Sequence, residues 1–108
     1  MFVSIKGGAY ARFRRALETG NVTMIKSAAA ELPRVSLADA LQVCLVLRKA
    51  DPLVYERAAI RWLGRLALEH KGITLAALHQ AVVAFERMPD DPDAARLELE
   101  GLAGFRGA

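Results

Sequence analysis

Apolar residues along this chain recur every three to four positions, and short polar breaks divide them into six segments. That period belongs to helices that bury one face. Val3 and Ile5 alternate with Ser4 and Lys6 before Gly7-Gly8, so residues 1–8 read as a short N-terminal arm. The first helix is expected over 9–19. Gly20 suits a left-handed helix end, and Asn21 suits the N-cap of a second helix over 22–32, which stops before Pro33. Ser36-Leu37-Ala38-Asp39 has capping-box spacing, with Asp where Glu is usual, and opens a third helix to about Ala50. Asp51-Pro52 is a start signal, an N-cap followed by proline at the first helical position, for a fourth helix over 52–71. Thr74 caps a fifth helix ending near Met88. Asp91-Pro92 starts a sixth, ending near Ala103. Residues 9–103 thus form a single helical domain, and residues 104–108 (GFRGA) form a flexible tail.

The faces of these helices differ. On the third, Leu41, Cys44 and Leu45 share one side, while Val43, Val46 and Leu47 occupy the others; a helix apolar nearly all round is buried. On the fourth, Tyr55, Ala59, Trp62, Leu63 and Leu66 fall within one arc of about 100°. Ile60 and Ala67 widen that arc. Arg57, Arg61 and Arg65 lie opposite, spread over about 80°, so Trp62 is expected in the core and the arginines on a solvated face.

Composition sharpens the class. A chain of 108 residues fits one domain. The apolar share of 54% is rich in alanine and leucine, aromatics are only 6%, and strand-favouring residues are sparse, so the fold class is all-α. The single cysteine, Cys44, excludes an intramolecular disulfide and reads as a small buried hydrophobe in a reducing compartment. No unbroken apolar run exceeds five residues, far short of a membrane span, and MFVSIKGG carries no secretory pattern. A cytoplasmic protein without membrane contact is expected.

The Asp-Pro pair recurs after 40 residues, and Ser36-Leu37-Ala38 is echoed by Thr74-Leu75-Ala76, 38 residues on. With ALETGNVTMIKSAAAEL as the first helix–turn–helix, most of the chain resembles α-helical hairpin repeats of the tetratricopeptide and HEAT type, although the Trp-Leu-Gly-Tyr spacing of a tetratricopeptide is absent. The resemblance implies three helical hairpins, in an α-solenoid-like stack or a compact bundle, and a protein-binding scaffold without catalysis.

Charge brings in the candidate residues. Residues 1–71 hold 12 Lys/Arg against 6 Asp/Glu, a net of +6; residues 72–108 hold 3 against 6, a net of −3. Within the ladder, Arg57/Arg61 and Arg61/Arg65 are like-charge neighbours one turn apart, each pair unfavourable by roughly 0.2–0.5 kcal/mol. Glu69 relieves it from below. Further negative charge is expected from Glu98 and Glu100, from a partner, or from phosphate, to which the arginine fork is suited. Arg12, Arg14 and Arg15 form a second cluster beside Tyr10 and Phe13, although Tyr10, Phe13 and Leu17 share one face in a core pattern. LALEHKGITLAALHQAV has the outline of a helix-turn-helix, but its second helix begins with leucine and alanine rather than groups that reach bases, and we reject it.

Chemistry-bearing sets are missing. His70 and His79 lack metal-ligand spacing, one cysteine makes no zinc site, and no phosphate-cradling glycine loop or nucleophile elbow occurs. DDPD at 90–93 lacks the spacing of a calcium loop and reads as a helix start. Glu56, at the edge of the apolar arc, is explained by proximity to the helix N-terminus. The expectation is a non-enzymatic protein-interaction module, free of cofactors, binding another protein or forming a homodimer with the Val3/Ile5 arm as a cap. The alternative is a nucleic-acid-associated protein using Arg12, Arg14, Arg15, Arg57, Arg61 and Arg65.

Overall fold

The computed structural model describes the backbone of residues 5–105 and the side chains of residues 8–105. Among these are six helices and no strand: α1 (Ile5–Thr19), α2 (Val22–Ala30), α3 (Leu37–Leu47), α4 (Pro52–Glu69), α5 (Leu75–Arg87) and α6 (Pro92–Ala103). Most of their ends are set by local chemistry. Side-chain oxygens of Asn21, Ser36, Asp51 and Thr74 accept the N–H groups of Met24 (3.0 Å), Asp39 (3.0 Å), Leu53 (2.9 Å) and Ala77 (3.0 Å), donors that have no partner inside the helix. Asp91 does the same for Ala94 at 3.4 Å. The matching Ser/Thr and Asp-Pro signals therefore start α3 and α5, and α4 and α6, by the same means. Gly104, at φ 83°, closes α6: its N–H donates to Gly101 and that of Phe105 donates to Glu100, the paired bonds of a Schellman end.

Three details differ from the sequence reading. Helix α1 begins at Ile5, so Gly7 and Gly8 lie in its first turns; glycine lowers helix propensity but does not forbid it at a terminus. Val3 and the side chain of Ile5, on which the expected trans cap rests, lie outside the described residues. The Ser36 box is one-sided. Asp39, a methylene shorter than glutamate, turns its carboxylate to Tyr10 (3.0 Å) and Arg14 (2.9 Å), tying α1 to α3. Phe105, assigned to the tail, packs half-buried against the core.

The helices pair as three hairpins, α1–α2, α3–α4 and α5–α6. Contacts of α4 with α5 and of α3 with α6 close the last two into a four-helix unit, and the first hairpin lies against α3. Helix α3 thus touches α1, α2, α4 and α6, which accounts for its apolar perimeter. The main core includes Leu41, Cys44, Trp62, Leu66, Phe85 and Leu99; a smaller one, Phe13, Ala16, Ile25 and Ala28, joins it through Val43. Trp62 is 1% exposed, as its phase on α4 requires. Its indole N–H donates to the Leu37 carbonyl (2.8 Å), and its ring meets Phe85 edge-on at 5.4 Å. Tyr55 donates to the Phe85 carbonyl (2.7 Å), so both polar groups that α4 sends inward are satisfied.

Candidate functional site

Helix α4 positions the most distinctive surface. Asp51 and Pro52 fix its start, and Tyr55, Ala58, Ala59, Trp62 and Leu66 form its buried face. That face is rotated toward Ala58 relative to the expected arc. Ile60 and Ala67, placed on the edge of the core by their phase, are exposed, Ile60 by 59%. The cause is tertiary: α3 covers the Ala58 side, and α5 leaves the Ile60 side open. Leu53 (61% exposed) and Leu68 (82%) extend the uncovered apolar row, and Gly64 lies between Ile60 and Leu68. From Leu53 to Leu68 the row runs about 22 Å at 1.5 Å per residue.

The arginine ladder overlaps this row: at 100° per residue Arg57 falls in phase between Gly64 and Leu68, and Arg61 and Arg65 lie beyond Leu68. Arg65 donates to Glu69 (2.7 Å), which also lies 3.6 Å from Arg34; the Arg65 hydrogen bond holds the Glu69 carboxyl below its ordinary pKa. Arg57 and Arg61 have no acidic partner among the described residues. Glu98 and Glu100, expected to relieve the ladder, are engaged elsewhere: Glu98 lies 4.0 Å from Arg87, and Glu100 lies 3.2 Å from Arg96. On the other border of the row, α4 and α5 enclose a shallow groove of about 200 Å³ floored by Ala59, Leu63, Val82 and Phe85 and flanked by Glu56 and Glu86. Glu56 lies past the first turn of α4, which holds no acidic residue, so helix-end electrostatics do not explain it. It is an exposed flank of the groove.

The second cluster sits on another hairpin, and its charges are largely met. Arg12 pairs with Glu31 at 2.6 Å and Arg14 with Asp39 at 2.9 Å. Arg15 is exposed, and with Arg12 it lines an open groove of about 580 Å³ between α1 and α2. Phe13 is fully buried and Leu17 half-buried, but Tyr10 is 44% exposed, against the core pattern of its sequence neighbours. Partial burial and its hydrogen bond to the Asp39 carboxylate raise the phenol's pKa. The structure therefore does not bring the six arginines into one surface. Nor did the sequence reading find Leu53, Gly64 and Leu68. The available signal was their phase: all three lie on the side of α4 away from Trp62.

Cys44 is buried, and burial pushes its thiol up to about 12. Among the described residues no group of three or more His, Cys, Asp or Glu side chains is placed to hold a metal ion, and no helix is long and apolar enough to cross a membrane. No protein-family model matches the chain, and comparisons with curated proteins and with solved structures return no match.

Proposed function

We propose that this chain is a small, non-catalytic protein-interaction module of the cytoplasm, and that its partner docks on the open face of α4 and the adjoining α4–α5 groove. The observation that carries the reading is the row Leu53, Ile60 and Leu68, exposed together along one helix beside two arginines without partners. Aligned apolar groups rimmed by charge are the composition of a docking surface, whereas scattered ones are ordinary. A buried, unpaired thiol is consistent with a reducing compartment.

Nucleic acid is the weaker reading. Arg12, Arg14 and Arg65 already hold carboxylates of the same chain. Of the six candidate arginines this leaves Arg15, Arg57 and Arg61 for phosphate, and they are divided between α1 and α4.

A photo-reactive side chain placed at Leu68, with Leu97 on α6 as control, tests the reading in the producing cell. Protein adducts from position 68 and none from 97 are expected. Adducts to nucleic acid, or equal capture at both positions, would overturn it. Arg61→Glu supplies a second arm. It turns two like-charge pairs into opposite ones and should leave the fold unharmed or raise its stability by a few tenths of a kcal/mol, roughly 0.2–0.5 per pair, while weakening adduct formation. A marked loss of stability would mean that Arg61 holds the fold together rather than a partner.

A further inference from the structure

Resting on the reading of α4 as a docking face, we infer that its occupant is an acidic amphipathic helix of another protein, laid along α4 with its closest approach at Gly64 and its carboxylates on Arg57 and Arg61. Two observations carry this independently. The first is Gly64. It lies in the middle of α4, is exposed, and a Cβ built there meets nothing within 4 Å. The fold itself therefore has no steric use for a glycine, although glycine weakens an exposed helix interior relative to alanine. Gly101 is equally open, but it lies in the last turn of α6, where the helix is already ending. Ile60 and Leu68 stand one turn to either side of Gly64 and leave a notch between them, a hole of the kind that receives a knob from a second helix.

The second observation is charge. Arg57 and Arg61 stand one turn apart, Arg57 within the row and Arg61 at its edge, with no carboxylate of this chain to offset them among the described residues. A planar guanidinium is matched best by a carboxylate, and two of them one turn apart match acids spaced three or four residues on a helix. A second copy of this chain fits less well. Two α4 helices packed face to face and antiparallel set like border against like border, arginine beside arginine. Packed parallel, the arginine side faces the groove side, where Glu56 and Glu86 flank the first half of α4 and Glu56 lies more than a turn short of Arg61. Phosphate would satisfy the arginines but leave Ile60 and Leu68 uncovered.

Two synthetic helical peptides of about 18 residues, enough to span Leu53–Leu68 with about half a turn to spare, test the inference. Both carry leucines at helical spacing; one bears glutamates beside them and its twin bears lysines. The glutamate peptide is expected to bind the full chain roughly tenfold tighter than the lysine peptide at moderate salt, with amide shifts centred on α4. Arg57→Glu with Arg61→Glu should reverse that order. Gly64→Leu should fill the notch and weaken binding of the glutamate peptide roughly tenfold or more while leaving the melting temperature unchanged or higher. Equal affinities, an order that survives the double charge change, shifts centred away from α4, or no binding by either peptide would overturn the inference. A Leu68 adduct with a second copy of this chain, or with a partner segment lacking acids, would also overturn it while leaving the docking face in place. Adducts with nucleic acid would remove both.

Discussion

Trp62→Ala is the most direct probe of the core on which the α4 surface rests. The indole is 1% exposed, lies against Phe85 at 5.4 Å, and bonds the Leu37 carbonyl at 2.8 Å. Truncating a buried aromatic costs about 3–5 kcal/mol through lost burial and the cavity left behind. Here the upper end applies, because a hydrogen bond worth about 1 kcal/mol net and an edge-on aromatic pair worth about 0.5–1.5 kcal/mol go with the ring. The expected loss of about 5 kcal/mol is comparable to the whole stability of a small domain. Trp62→Phe is therefore the quantitative companion. It keeps a ring against Phe85 and removes the N–H, for about 1.5 kcal/mol. With a urea m-value of about 1.5 kcal/mol/M, that lowers the midpoint by about 1 M. Far-UV circular dichroism reads both variants. An alanine variant within about 1 kcal/mol of wild type would mean that Trp62 is not packed, and the face assignment of α4 would fall with it.

Three further outcomes are expected. Asp39→Ala removes the acceptor that joins Tyr10 and Arg14 to α3 and should cost about 1–2 kcal/mol, with amide exchange rising first in α1; uniform loosening of all helices would contradict this tether. Cys44 should react with iodoacetamide far more slowly in the native protein than in urea, since its thiol is buried and pushed up to about 12; equal rates would place the thiol at the surface. Glu69→Gln should be less stable than wild type near neutral pH, by less than about 1 kcal/mol for an exposed pair. The folded carboxyl titrates below its ordinary value of 4.5, so its contribution is present above that value and is lost as pH falls through the lowered one. The two melting curves should therefore converge as the pH falls through that lowered value, and a gap that persists in acid would show that the effect is not ionic.

Helix number, order and pairing were legible because their signals are local. Asn21, Ser36, Asp51, Thr74 and Asp91 each satisfy donors within three residues, and such bonds form or fail irrespective of distant neighbours. What escaped depended on residues far apart in the chain. Asp39 meets Arg14 across 25 positions and Tyr10 across 29, so neither the open capping box nor the exposed tyrosine could be read from spacing. Glu98 and Glu100 were sought as partners of the ladder because they are acidic, and Arg87 and Arg96 on their own hairpin hold them instead.

Helix α4 exposes a more general limit. Periodicity sorts a helix into two sectors, wet and dry, but on the outer side of α4 uncovered apolar residues and arginines interleave. A two-sector reading must assign Ile60 and Ala67 to one of its halves, and it assigned them to the core. Which half is right depends on where α5 lies, not on the phase of α4. Large apolar residues do occur singly on the outside of this protein, as Met24 on α2 and Leu97 on α6 do, and such residues need no explanation. Leu53, Ile60 and Leu68 differ because one helix presents all three on one side, beside Gly64 and the two arginines that lack partners. The same chain covers Trp62, Leu66 and Leu99 almost completely, so its helices can close over large side chains where they meet. An uncovered row on a helix that otherwise packs this well is what favours the proposed docking face over scattered exposure.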